Sequence, residues 1–172
     1  MVNYRRNKTG NPDDILFFTI VTMNRLPRFA EPEMRDLALT VLKRIKKRFG
    51  FKVKAWVILP DHLHLLISPQ VSDYSKIIFS FKKGLSMEFK RLGRIERGEK
   101  MWQDRFWEET VKDDDHFERC VSYILHNPIK HGLVETPVDW KHSSIHEFIR
   151  KGDVARERGD GRDIIIPGAE YD

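Results

Sequence analysis

The chain has a single cysteine, Cys120, among 172 residues. One thiol excludes an intramolecular disulfide framework and any structural zinc site built on thiolates, and it suits a reducing cytoplasm. Long hydrophobic runs are missing too. No uninterrupted apolar stretch approaches the ~20 residues of a bilayer-crossing helix. Met1 to Lys8 are polar and basic, with no apolar signal segment after them. The expectation is a soluble, unsecreted, cytoplasmic protein without a membrane partner. No internal repeat is visible, and the length fits one domain large enough to bury a core.

What the chain does have is positive charge in clusters. Its net charge is +5 and its pI about 9.3. Lys43-Arg44-Ile45-Lys46-Lys47-Arg48 runs on to Lys52 and Lys54, Lys82-Lys83 and Lys90-Arg91 follow, and Arg5-Arg6-Lys8 stand at the start. A polyanion such as nucleic acid is the natural partner for such a surface. On charge alone, a solvated helix face explains the same runs equally well.

Hydrophobic periodicity gives the element order. Ile15 to Met23 reads as a strand closed by Asn24-Arg25-Leu26-Pro27, and Glu31 to Arg48 as a helix with Pro32 in its first turn and Gly50 as its stop. Phe51 to Leu59 and His62 to Ser68 alternate as two strands of an antiparallel hairpin. Ser72 or Asp73 can cap a second helix with a Tyr74, Ile77, Ile78, Phe81, Leu85, Phe89 stripe and Gly93 at its end. A further strand is expected within Gly98 to Lys112. A third helix then opens on Asp113-Asp114-Asp115 and stops at Pro128. The order β, α, β-β, α, β, α describes an α+β fold, helices covering a mainly antiparallel sheet. One domain over residues 1–150 is expected, with residues 151–172 as an extended or disordered tail whose apolar patch is Ile164-Ile165-Ile166.

Two residues apart on a strand, His62 and His64 project from one face with backbones roughly 6.6 Å apart, close enough for two ring nitrogens to meet one cation. Leu63, Leu65 and Ile67 point the other way, toward the expected core. Tyr123 and Asn127 are four apart on a helix and share a face. A phenol, with a reference pKa of about 10, needs a nearby cation or base before it can attack phosphate. Magnesium or manganese held by His62, His64 and the Asn127 side-chain oxygen would polarise a phosphate oxygen and leave positions open for DNA. Each part has a plainer explanation: a structural His-x-His strand, an interfacial tyrosine, an asparagine at a helix end. The combination points to a metal-assisted phosphodiester site.

Those residues also carry a family resemblance. Trp56-Val-Ile-Leu-Pro-Asp-His-Leu-His-Leu-Leu-Ile67 resembles the HUH (His-hydrophobe-His) motif of single-tyrosine transposases of the IS200-like kind. Tyr123-Ile-Leu-His-Asn127-Pro-Ile-Lys-His-Gly-Leu-Val134, with Trp140 and Ser143-Ser144, resembles the REP-associated tyrosine transposases. Tyr4-Arg5-Arg6, Phe17 to Thr22 with Arg25, and Trp102 to Glu108 follow the same order. The resemblance implies a ferredoxin-like, RRM-like sheet with the histidine pair on a central strand. It implies metal-dependent cutting of single-stranded DNA next to palindromic-repeat hairpins. Tyr123 would be the nucleophile, linked to the 5′ end while a 3′-hydroxyl is freed, and His62, His64 and Asn127 would be the ligands of Mg²⁺ or Mn²⁺. It leans toward a monomer acting in cis, with a dimer the alternative. Tyr4, Arg5 and Arg6, together with the basic helix carrying Lys82 and Lys83, are the candidate DNA contacts. The chain departs from the family pattern at Leu125 and at Glu109, each where a histidine is usual, so either Glu108 or Glu109 could move a proton.

Two rivals remain at this point. Histidine-triad nucleotide hydrolases need a third alternating histidine, and that position is Leu66. A non-catalytic DNA- or RNA-binding regulator derived from such an enzyme is the other, and intact Tyr123, His62 and His64 argue against it.

Overall fold

The computed structural model describes residue 11 and residues 13–152. Their elements run β1 (Leu16–Val21), α1 (Pro32–Phe49), β2 (Lys52–Ile58), β3 (His62–Ser68), α2 (Ser75–Arg91), β4 (Trp107–Thr110), α3 (Asp114–Lys130) and α4 (Ile145–Lys151). The sheet order is β2-β3-β1-β4, and every neighbouring pair is antiparallel. This is the expected α+β, ferredoxin-like arrangement, with β3 and β1 inside the sheet.

Local chemistry sets the boundaries. Pro32 stands at the first position of α1, where its missing N–H costs nothing. Gly50 takes a left-handed conformation (φ 74°) and returns its N–H to the Lys46 carbonyl, ending the helix as read. α2 opens after Tyr74 without the side-chain cap expected from Ser72 or Asp73; Asp73 pairs with Lys76 instead, at 3.2 Å. The strand expected within Gly98 to Lys112 shrinks to four residues, because Trp102 turns inward to the core and makes only an isolated bridge to Thr22.

Pro128 does not stop α3. The helix passes through it to Lys130, and the ending is made by Gly132 (φ 66°), with Gly132 N–H on the Ile129 carbonyl and Leu133 N–H on the Pro128 carbonyl. A proline removes one donor and disfavours helix before it, but α3 is held along its length by packing on the sheet, and that outweighs one lost bond. The extra turn carries Lys130 onto the same stretch of helix as Tyr123 and Asn127.

Both faces of the sheet are covered. Phe18, Ile20, Leu63, Leu65 and Ile67 meet α1 and α2 in the larger core. Phe17, Ala55, Val57 and Leu66 meet Cys120, Val121, Ile124 and Leu125 of α3 and Ile145 of α4 in a smaller one. All seven residues of β3 are consequently buried. Among the described residues no helix is long and apolar enough to cross a membrane. Tyr4, Arg5, Arg6 and the patch Ile164-Ile165-Ile166 lie outside the described residues.

Candidate active site

β3 holds His62 and His64 on the face beneath α3, where His64 stands opposite Thr19 on β1 and Val57 on β2. The two rings are nearly perpendicular (84°), with centroids 5.0 Å apart, and each residue is only 3% exposed. Each ring is fixed through Nδ1. His64 Nδ1 lies 2.9 Å from the Thr19 hydroxyl, and His62 Nδ1 lies 2.6 Å from Asp61 Oδ1. The other Asp61 oxygen accepts from Arg25 at 2.9 Å. A carboxylate can only accept, so His62 carries its proton on Nδ1 and would meet a cation through Nε2. A carboxylate or hydroxyl behind an imidazole is the usual way to orient a metal-binding histidine.

Electrostatics keep the pair neutral. Burial pushes the His64 pKa down to about 3, helped by His62, His131 and Lys130 nearby. Burial also lowers that of His62, against the opposing pull of Asp61. Burial alone would raise the Asp61 pKa, but the bonds from His62 and Arg25 outweigh it and hold the carboxyl below its ordinary value. Both histidines therefore offer a lone pair at neutral pH with little competition from protons.

α3 brings the rest. Its start is fixed by Asp113, whose side chain accepts from the His116 N–H at 2.7 Å, and its apolar stripe docks on the sheet. The Tyr123 ring packs edge-on against His64 (5.2 Å) and Phe17 (5.9 Å), yet Tyr123 stays 41% exposed. Asn127, one turn on, is 1% exposed. Its amide faces His64 closely enough to favour protonation slightly, but no bond of ordinary geometry forms: His64 Nε2 and both Asn127 amide atoms are buried without a hydrogen-bond partner. Three unpartnered polar atoms together in a core are costly unless something else meets them. An imidazole nitrogen and an amide oxygen are donor types that a divalent cation accepts. Among the described residues no three His, Cys, Asp or Glu side chains form a metal-binding group.

The structure thus brings together His62, His64, Tyr123 and Asn127. It does not bring Lys82 and Lys83 to them: α2 packs on the opposite face of the sheet. Lys82 donates to the Gln103 carbonyl at 2.8 Å and its pKa is lowered by burial, whereas Lys83 is exposed above the Phe79 ring. Four site neighbours escaped the sequence reading: Thr19, Asp61, Lys130, whose Nζ lies 4.8 Å from the Tyr123 ring centroid, and His131, whose ring is 4.9 Å from that of His62. Lys130 was within reach of helical spacing, seven after Tyr123 and three after Asn127. Thr19 becomes visible only once strand register is known. Glu109 lies opposite Phe17 on the Tyr123 face, and Glu108 opposite Phe18 on the other.

The chain resembles known proteins in sequence and fold. Residues 16–127 match the profile of the IS200-like transposase family. A Haemophilus influenzae protein that carries the REP-associated tyrosine transposase name is 32% identical over 98% of this chain and 99% of its own. The REP-associated tyrosine transposase of Escherichia coli is 30% identical over 79% of each chain. A solved structure of a REP-associated tyrosine transposase bound to a REP hairpin superimposes with a TM-score of 0.78 at 26% identity, covering 100% of both chains.

Proposed function

Because this chain belongs to the IS200-like transposase family, and within it to the REP-associated tyrosine transposases, we propose that it cuts and rejoins single-stranded DNA beside palindromic-repeat hairpins. The observation that carries this reading is the cluster of unpartnered buried atoms, His64 Nε2 and the Asn127 amide, directly beside an exposed tyrosine. The Tyr123 oxygen attacks the phosphate and forms a phosphotyrosine bond to the 5′ end, and the phosphorus–O3′ bond breaks. The phenol loses its proton and the departing 3′-oxygen gains one. Reversing these steps joins strands without an external energy source.

His62, His64 and Asn127 would hold a divalent cation, Mg²⁺ or Mn²⁺, whose chemistry when bound is Lewis-acid polarisation of a non-bridging phosphate oxygen. Asp61 and Thr19 fix the two rings so that their Nε2 atoms need no reorganisation on binding. The aromatic packing of Tyr123 on His64 and Phe17, with Lys130 over its open face, orients the nucleophile and adds positive charge where the phosphate arrives. Incubating an end-labelled single-stranded hairpin with the protein and Mg²⁺ or Mn²⁺ should give discrete cut products, and chelator should remove them. Binding without any cutting under those conditions would favour the regulator instead.

Two further outcomes follow from the geometry. Asn127→Leu keeps the branched four-atom outline of the side chain and removes an unpartnered buried amide. It should raise unfolding stability in chelator by about 1–2 kcal/mol, while abolishing the stabilisation that added Mn²⁺ gives the parent protein. Denaturant titrations with and without Mn²⁺ check it; an undiminished Mn²⁺ effect would remove Asn127 from the ligand set.

Neutralising Lys82 and Lys83 together should weaken binding to all single strands alike. The log–log salt slope should fall by roughly 1 to 1.5, since each phosphate contact on a single strand contributes about 0.7. Lys83→Ala should account for most of this, because Lys82 is partly buried and tied to Gln103. Sequence-dependent losses would contradict the assignment of α2 to backbone contacts. Tyr4, Arg5 and Arg6 remain the proposed readers of the single-stranded guide.

A further inference from the structure

On the β4 side of Tyr123, the sheet and α3 border an open cavity of about 390 Å³. Strand register decides its floor. Trp107 stands opposite Thr19 and Glu109 opposite Phe17, and Thr19 in turn stands opposite His64. Directly opposed residues share a face, so Trp107 and Glu109 project on the same side as the histidine pair. α3 supplies the remaining wall through His116, Arg119, Cys120 and Tyr123. Trp107, like Tyr123, keeps 41% of its surface open. The Glu109 carboxylate touches His116 at 3.5 Å, and its side chain is 44% exposed. Burial pushes the Cys120 thiol up to about 11, which makes it an apolar wall at neutral pH and no nucleophile.

We infer that this cavity takes the unpaired base of a nucleotide bordering the scissile phosphate. The inference rests on Tyr123 being the nucleophile. A single-stranded DNA with a phosphate at Tyr123 must send a neighbouring base away from the duplex, and this cavity opens beside the attacking residue. An unpaired base offers a π-face and a polar edge. Trp107 answers the first by stacking, the device by which proteins hold single strands. Glu109 answers the second, because a carboxylate accepts from the exocyclic amino group of adenine, cytosine or guanine, and thymine alone carries none. Arg119 supplies positive charge for the adjoining phosphate. The volume is ample for a base with its sugar. Seating it fixes the strand's register, so the pocket selects which phosphate reaches Tyr123 and favours an amino-bearing base over thymine beside it.

The test uses 2-aminopurine placed at successive positions of the single-stranded extension of a hairpin, with Tyr123→Phe protein so that the DNA stays intact. Quenching confined to one position bordering the scissile phosphate is expected. Trp107→Ala should abolish it and weaken binding of the extended hairpin about tenfold, without changing binding of the same hairpin lacking its extension; Trp107→Phe should retain most of both. Glu109→Gln, with fluorescence-free oligonucleotides, should erase the preference for amino-bearing bases over thymine at that position. These two conservative variants and the positional scan decide the matter even if Trp107→Ala fails to fold. Normal hairpin binding with no position-specific quenching, or equal losses for both hairpins, overturns the pocket alone. No binding of either DNA by the parent protein overturns the DNA reading and the pocket with it.

Discussion

Tyr123→Phe will form no covalent adduct with DNA and will lose cleavage by on the order of 10³-fold or more, as expected when a nucleophile's reacting atom is deleted. Binding will be nearly unchanged. The substitution removes only the hydroxyl; the ring contacts with Phe17 and His64 and the position beneath Lys130 are available to phenylalanine as well. The fold should therefore be kept, and activity loss cannot be blamed on collapse of the smaller core. Denaturing gels of labelled hairpin incubated with each protein read the adduct directly. A 5′-linked adduct persisting in the variant would assign the attack to another residue.

His64→Ala and His62→Ala will each lower cleavage by about 10²-fold or more, the scale expected when a positioned metal loses a ligand. The two should differ in stability. His64 fills the space between Thr19 and Tyr123, so its truncation leaves a hole and strips Thr19 of its partner. His62 is as buried, packed against His131, so its truncation also leaves a hole, but it leaves Asp61 still bonded to Arg25. Measuring unfolding beside cleavage separates the two causes, and loss of cleavage by protein that remains folded at the assay temperature is the decisive combination. If the parent protein cleaves as fast in chelator as in Mg²⁺, the histidine pair does not work through a metal.

The parts of this site that follow short-range periods could be read directly. Alternation on a strand put His62 and His64 on one face, and helical spacing put Tyr123 with Asn127. The residues that steer them depend on longer-range geometry. Thr19 reaches His64 only because β1 pairs with β3 in one register, 45 residues away in the chain. Asp61 precedes His62 directly, where strand alternation alone would send it away; the turn at the start of β3 folds it back to Nδ1.

Pro128 misled for a physical reason. Its local preference against helix is real, but the apolar stripe of α3 buried on the sheet outweighs it, and stopping the helix there hid Lys130. The same tertiary docking produced the second core, which alternation in β3 could not announce: Leu66 reads as one more apolar residue until α3 is seen lying over it. The basic clusters were plain in the sequence, yet which face of the sheet α2 covers was not, and that face is opposite the histidines.

The most direct measurement is to map the covalent intermediate. The parent protein is incubated with single-stranded hairpin DNA and Mn²⁺, the products are digested with nuclease and protease, and the nucleotide-bearing peptide is identified by mass spectrometry. One modified peptide is predicted, carrying a 5′-phosphonucleotide on Tyr123, present with Mn²⁺ and absent in chelator. Modification at any other residue, a linkage through the 3′ end, or cut DNA accumulating with no adduct at all would contradict Tyr123 as the nucleophile.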